Sequence, residues 1–186
     1  MIDDIDLLDD TTRPRAPKLK GLTPEQRAPG LHLKEIHDQL RDNMRTLRRL
    51  IEQASAGDVS PAAVARQTGD LAMVANFRRF GTLCGQHCQF VHGHHSIEDE
   101  ALFPALAAQS EAFRKVTDRL KAEHVVVHEL LVRLIGALQE LARSPTRPNF
   151  DATVSVYDAL ERVLLSHLGY EEEEIGDAIG YFGVFA

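Results

Sequence analysis

Histidine and acidic residues recur at helical spacing in four separate stretches of this 186-residue chain, which contains nine histidines. Imidazole is the commonest side-chain ligand of transition metals, and carboxylates complete many such sites. A His-x-x-x-Glu or His-x-x-x-His pair puts two donors on one face of a helix, about 6 Å apart along its axis. The candidate metal donors are His37, His94 with Glu98, His124 with His128, and His167 with Glu171.

These donors lie on the apolar stripes of their segments, so the sequence predicts that they are buried. Burying a charged carboxylate costs several kcal/mol, and burying an unpaired imidazole costs roughly 1–3 kcal/mol. A single histidine on an apolar face is more often a hydrogen-bonded core residue, but the repetition in four stretches favours metal binding, because coordination offsets the cost of burial. Seven donors exceed the four of a tetrahedral zinc site. They fit two six-coordinate ions that share carboxylates, with one coordination position left open.

Four amphipathic helices are predicted to position the donors, because apolar residues recur in alternating steps of three and four. The predicted helices cover residues 31–54, 61–102, 117–142 and 150–175, with a break near residues 68–70 and an exit at Pro104. No stretch shows the period-two alternation of a half-buried strand. The expected fold is all-α, an antiparallel up-down-up-down four-helix bundle.

The chain length suits a single domain with flanking segments. Residues 1–30 change from an acidic to a basic, proline-containing composition and are expected to form a poorly structured, extended N-terminal arm. Residues 31–178 form the predicted bundle. Residues 179–186 form an apolar C-terminal tail that could cover one end of the bundle or contact a partner. A homodimer is left open.

The bulk composition excludes several classes of function. The formal net charge is −7, from 28 acidic and 21 basic residues, which argues against nucleic-acid binding because such proteins need a basic footprint. No apolar run approaches the roughly 20 residues of a membrane span, and the first residues lack the basic start of a secretory signal. A cytoplasmic protein without membrane contact is therefore expected.

Carboxylate-rich di-iron bundles of the ferritin type are disfavoured by spacing. Those sites use Glu-x-x-His on two helices. The residues three positions before four of the core histidines are Lys34, Val91, Lys121 and Leu164, and none of them is acidic.

Four further residues allow more than one interpretation of their role. His87 lies two turns before His94 and is a hydrogen-bond donor to a ligand residue, a proton relay or a plain core histidine; the last interpretation is favoured. His95 could orient or replace a ligand, because it lies three residues before Glu98. Cys84 and Cys88 are too few for a disulfide framework; buried thiols are the usual explanation, with redox sensing or a second metal site as alternatives.

The stretch His94-His95-Ser-Ile-Glu98-Asp-Glu-Ala-Leu-Phe-Pro104 resembles the signature of the hemerythrin-like HHE cation-binding family. The later stretch His167-Leu-Gly-Tyr-Glu171-Glu172 echoes it. The order of the motifs along the chain also matches: a single His, His-x-x-x-Glu, His-x-x-x-His, then His with a carboxylate. The resemblance covers about residues 31–175, and its fold is an antiparallel four-helix bundle.

This resemblance implies a non-haem site with two iron ions held by the seven donors named above, with Glu98 and Glu171 as the bridging carboxylates. One iron would keep an open position for dioxygen, nitric oxide or peroxide. In oxygen-carrying hemerythrins the last carboxylate is an Asp five residues after its histidine. Here that offset holds Glu172, whereas the internal echo favours Glu171, and this departure weakens the case for reversible oxygen carriage.

Three functions follow as hypotheses. The leading one is a di-iron protein that binds dioxygen, nitric oxide or peroxide for sensing, storage or scavenging. The second is a di-iron peroxidase or catalase-like enzyme, which needs a proton donor near the bound peroxide; His87 and Tyr170 are the candidates. The third is a structural or interaction bundle without a working metal site.

Overall fold

The computed structural model of the protein describes residues 4–56 and 70–184. Within these ranges the chain is helical and contains no strand, as predicted. The long helices are α1 (Pro24–Ala56), α2 (Asp70–Ile97), α4 (Glu111–Arg143) and α5 (Arg147–Tyr181). A π-helical turn (Glu98–Leu102) and a short helix α3 (Phe103–Ala107) continue α2 without leaving the helical region of backbone conformation. The expected first part of the second helix, residues 61–69, lies outside the described residues.

Helices α1, α4 and α5 begin earlier than the apolar periodicity alone predicts, because capping residues lie upstream of it. Thr23 starts α1 with a capping box: its hydroxyl accepts from the backbone N–H of Gln26, and the Gln26 side chain accepts from the N–H of Thr23. Ser110 caps α4, and Thr146 caps α5. The expected loop of residues 143–149 is therefore reduced to residues 144–146.

The last helix also runs further than residue 175, which was the predicted end. It ends at Tyr181, where Gly183 adopts a φ of 64° and the N–H of Val184 donates to the carbonyl of Ile179. A glycine in the left-handed conformation is a common helix terminator, since it pays no Cβ penalty there. The first residues of the expected tail thus belong to α5.

The buried apolar side chains form two separate clusters. The larger contains Leu40, Val91, Val127 and Leu164, and the smaller contains Leu33 and other residues from the opposite ends of the same helices. The smaller cluster continues with Leu102, Phe103, Leu120, Tyr170 and Ile175. Each long helix therefore passes from one cluster to the other, and the positions in between belong to neither.

The N-terminal segment is bonded to the bundle, although a poorly structured arm was expected. The Arg13 guanidinium donates to both carboxylate oxygens of Glu123 at 2.9 and 3.1 Å. The backbone N–H of Ala16 donates to Glu174 at 2.6 Å, and the hydroxyl of Tyr170 donates to the carbonyl of Pro14 at 2.8 Å. Residues 13–16 therefore lie against α4 and α5.

No helix in the described part of the chain is long and apolar enough to cross a membrane.

Candidate metal centre

A layer of imidazoles and carboxylates fills the space between the two apolar clusters. Its side chains are buried, and each long helix contributes to it. The layer divides into two groups, and within each group one ligand atom per residue lies within 4.8 Å of the others. The groups are His37, His94, Glu98 and Glu171, and His95, His124 and His167.

The first group lies between α1, α2 and α5. Nε2 of His37 is 3.0 Å from Nε2 of His94. Nε2 of His94 is 3.1 Å from Oε1 of Glu98, and Nε2 of His37 is 3.5 Å from Oε2 of Glu171. Two imidazole nitrogens and two carboxylates therefore converge on one point.

The second group lies between α2, α4 and α5. Nε2 of His124 is 3.1 Å from Nε2 of His167. The ring of His95 stacks on that of His124, with centroids 3.8 Å apart. The carboxylates of the first group face this one too: Oε2 of Glu98 is 3.7 Å from Nε2 of His124, and Oε2 of Glu171 is 3.5 Å from Nε2 of His167.

The two carboxylates therefore lie between the histidine groups and contact both. Glu98 is 3% exposed and Glu171 is fully buried, yet no other side chain among the described residues donates a hydrogen bond to their four oxygens. Without metal, the two carboxyls can hydrogen-bond only to each other, when one of them is protonated. The same is true of Nε2 of the buried His95. A buried carboxylate without a donor is rare and costly, so this layer fits a cationic ligand that the side chains surround.

Three histidines of the layer are oriented by carboxylates outside it. Each bonds through Nδ1, so a neutral imidazole that donates from Nδ1 keeps its lone pair on Nε2, which faces the centre. The pairs are His37 with Glu172 (2.9 Å), His124 with Asp99 (3.0 Å) and His167 with Glu123 (3.0 Å).

The orientation of His124 and His167 has a direct consequence. When both rings are neutral and donate outward from Nδ1, two lone pairs face each other at 3.1 Å without a proton between them. Two acceptors at this distance repel unless a cation accepts both. Metal–nitrogen bonds of about 2.0–2.1 Å to adjacent coordination positions place two imidazole nitrogens roughly 3 Å apart. The spacing fits two ligands of one metal ion.

Burial controls the protonation of the layer. Loss of hydration lowers the pKa of His37 and of His94 to about 3, and that of His167 to about 4. The same loss of hydration raises the pKa of Glu171 to about 8. It also raises the pKa of Glu98 well above its ordinary value, and repulsion from Glu171 raises the Glu98 pKa further. His37, His94 and His167 are therefore neutral near pH 7, which is the form that binds metals.

Six of the seven donors predicted from the sequence lie in the layer, but His128 does not. Its side chain is exposed, and its ring lies 5.1 Å from that of His92, which is also exposed. The buried stripe of α4 includes Val127, and the next residue is turned about 100° around the helix. His95 takes the place expected for His128, because His94 and His95 lie side by side on α2 and face different groups.

The structure distinguishes Glu171 from Glu172, the two adjacent acidic residues on α5 that could complete the layer. Glu171 lies among the Nε2 atoms, whereas Glu172 lies at the rim, where its carboxylate bonds to Nδ1 of His37 and to Arg41 at 2.7 Å.

His87 is buried apart from both groups, and neither of its nitrogens has a partner among the described residues. Cys84 and Cys88 are free and buried, with sulfur atoms 3.8 Å apart.

Sequence reasoning missed the role of Glu123. This residue immediately precedes His124 on α4, is 3% exposed, and bonds to His167 on α5. The one available signal was its spacing of four from Arg119, which donates to it at 2.6 Å. A contact between two helices leaves no periodic pattern within either, so the pairing with His167 could not be predicted.

The fold and the site define the chain as a helical protein with a buried layer of metal-type donors. The family model of the hemerythrin HHE cation-binding domain matches residues 32–179. The chain belongs to that family, as its motifs indicated. The comparison with curated proteins found no match, and neither did the comparison with solved structures.

Proposed function

We propose that the protein is a non-haem di-iron protein that binds dioxygen, nitric oxide or peroxide for sensing, storage or scavenging. One observation carries this proposal: Glu98 and Glu171 each contact both histidine groups, and no other side chain among the described residues donates a hydrogen bond to their oxygens. Two ions, one in each group, would give these oxygens partners, and the carboxylates would bridge them. Imidazole and carboxylate together suit iron.

The proposed ligands of the first ion are His37 and His94, and those of the second are His95, His124 and His167. His95 takes the role first expected for His128. Bound iron would supply the electrons and the open coordination position that a diatomic ligand needs. The carboxylates that bond to Nδ1 of His37, His124 and His167 would hold Nε2 of these three rings directed inward.

The bundle that holds these ligands is proposed to have an up-down-up-down order. Along α1 the chain passes from the smaller to the larger apolar cluster, from Leu33 to Leu40; along α2 and its π-helical turn it passes back, from Val91 to Leu102. The same alternation holds for α4 and α5. This order supports an antiparallel arrangement of consecutive helices.

No observation favours the peroxidase alternative. The hydroxyl of Tyr170 donates to the carbonyl of Pro14, and burial raises its pKa, so it is a poor acid. His87 belongs to neither histidine group.

Anaerobic reconstitution with Fe²⁺ tests the proposal. We expect close to two irons per chain, and a charge-transfer absorption that develops on adding dioxygen, nitric oxide or peroxide. Glu98→Gln should bind less iron and lose this absorption, whereas Glu100→Gln, an exposed acid in the same π-helical turn, should match the parent protein. A correctly folded protein that takes up no iron would refute the proposal and favour the structural role.

Loading should also release protons at pH 7. The pKa of Glu171 is raised to about 8 without metal, so its carboxyl is mostly protonated until an ion displaces the proton. Proton release measured in weak buffer should decrease as the pH rises above 8. Release that does not change with pH would contradict the assignment of this carboxyl as a ligand.

A further inference from the structure

His92 on α2 and His128 on α4 form an exposed pair that the interior site does not use. Their ring centroids lie 5.1 Å apart with the planes tilted by 41°, and both side chains are exposed. The two rings belong to different helices and are tilted rather than stacked, and neither is buried by the other.

The spacing of this surface pair is that of two imidazoles on one metal ion. With metal–nitrogen bonds of about 2.0–2.1 Å at a tetrahedral angle, two ring centroids lie roughly 5 Å apart. The interior pair of His37 and His94 has the same centroid separation, 5.1 Å, and that of His124 and His167 is 4.7 Å.

The surface pair also lies one helical turn from the buried site, on the same two helices. His92 precedes His95 by three residues, and His128 follows His124 by four. His95 and His124 stack on each other in the interior and are only 5% and 4% exposed. An exposed pair therefore stands directly outside a buried pair.

We propose that His92 and His128 form a surface site for a divalent transition-metal ion, through which the ion passes to the interior layer. This inference rests on the proposed function, because it assumes that the interior layer binds metal. A hydrated ion would exchange two waters for the two imidazoles and keep the remaining waters. Two protein ligands hold an ion weakly, which suits transfer to the larger number of ligands inside. Imidazole is a suitable ligand for Fe²⁺, Zn²⁺ and Cu²⁺, although its affinity rises from Fe²⁺ to Cu²⁺, so Zn²⁺ can serve as a probe of the surface site.

Zn²⁺ binding to the iron-loaded protein tests the surface site. We expect one Zn²⁺ per chain in equilibrium dialysis at pH 7.5, with the iron content unchanged. His128→Ala and His92→Ala should each lose this ion. His32→Ala is the matched control, because His32 is an exposed histidine that contacts Glu35 rather than another imidazole. Equal Zn²⁺ binding by the parent protein and His128→Ala would overturn the proposal.

The rate of Fe²⁺ uptake by the metal-free protein tests the passage. Uptake is followed anaerobically as the fraction of iron that a coloured Fe²⁺ chelator no longer reaches. His128→Ala should slow this uptake, while reaching the same final iron content as His32→Ala. An unchanged rate would overturn the passage. Absence of iron uptake in the parent protein would instead refute the proposed function, so the two failures are distinguishable.

Discussion

Glu123 links the N-terminal segment, helix α4 and the metal layer through one buried carboxylate. It accepts two hydrogen bonds from Arg13, one from Arg119 and one from Nδ1 of His167. Burial by itself would raise the pKa of Glu123, but the hydrogen bonds from these three residues outweigh it and lower the pKa from 4.5 to about 2. The substitution Glu123→Gln keeps the shape of the side chain and removes its charge.

The size of the expected loss follows from this pKa. At 1.36 kcal/mol for each pH unit, a fall from 4.5 to about 2 corresponds to roughly 3 kcal/mol of stability at pH 7. For a chain of this length, that loss lowers Tm by roughly 6–12 °C. Because the folded-state pKa is depressed, this contribution is fully present above pH 4.5 and is lost as the pH falls through about 2. The difference between the parent protein and the variant should therefore shrink below pH 4.5.

Urea denaturation of the metal-free proteins at pH 7 and pH 4 measures this loss. Glu111→Gln is the matched control, since Glu111 is an exposed acid on the same helix whose partner is Lys115 at 2.8 Å, and it should lose at most about 1 kcal/mol, as exposed ion pairs do. A loss for Glu123→Gln no larger than for the control would refute the reasoning. The variant should also bind metal 10- to 100-fold more weakly, as is typical when the group that orients a ligand histidine is changed.

Two further predictions concern helix packing and pH. Gly180→Ala should destabilise the protein by roughly 1–3 kcal/mol in thermal unfolding, because the added Cβ would overlap the carbonyl of Gln26 where α1 meets α5. Gly169→Ala is the control, because Gly169 faces open space in the same helix, and it should be neutral or stabilising. Equal effects of the two substitutions would contradict the close approach of α1 and α5. The metal-free protein should lose stability as the pH falls from 6.5 towards 3, because the pKa values of His37 and His94 are about 3 when folded, so the unfolded chain binds more protons. Five histidines with lowered pKa values outweigh the two carboxyls with raised values in this range. Urea midpoints that do not change between pH 7 and pH 5 would refute the assignment.

Most of the helices can be predicted from local sequence patterns. The periodicity of apolar residues predicts four helices, and the positions of Thr23, Ser110 and Thr146 mark where three of them begin, although periodicity alone placed those starts too late. Capping is a local interaction between a side chain and the backbone three residues on, so it can be recognised without a tertiary structure.

The π-helical turn is a feature that the pattern did not predict. The N–H of Phe103 donates to the carbonyl of Glu98, five residues earlier, so this turn holds one residue more than an α-helical turn. The extra residue lets Glu98, Leu102 and Phe103 all be buried. The wider turn carries a proposed ligand at its first position, as such turns often do at functional sites.

The sequence by itself determined which residues could bind metal and that they belong to helical faces, because donor type and i,i+4 spacing are properties of each segment alone. Only the tertiary structure decided that His95 joins the layer and His128 stays at the surface, and that Glu123 orients His167. The physical reason is that neighbouring residues differ by about 100° around a helix. A residue at the edge of a stripe is therefore buried or exposed according to how the neighbouring helices pack against it.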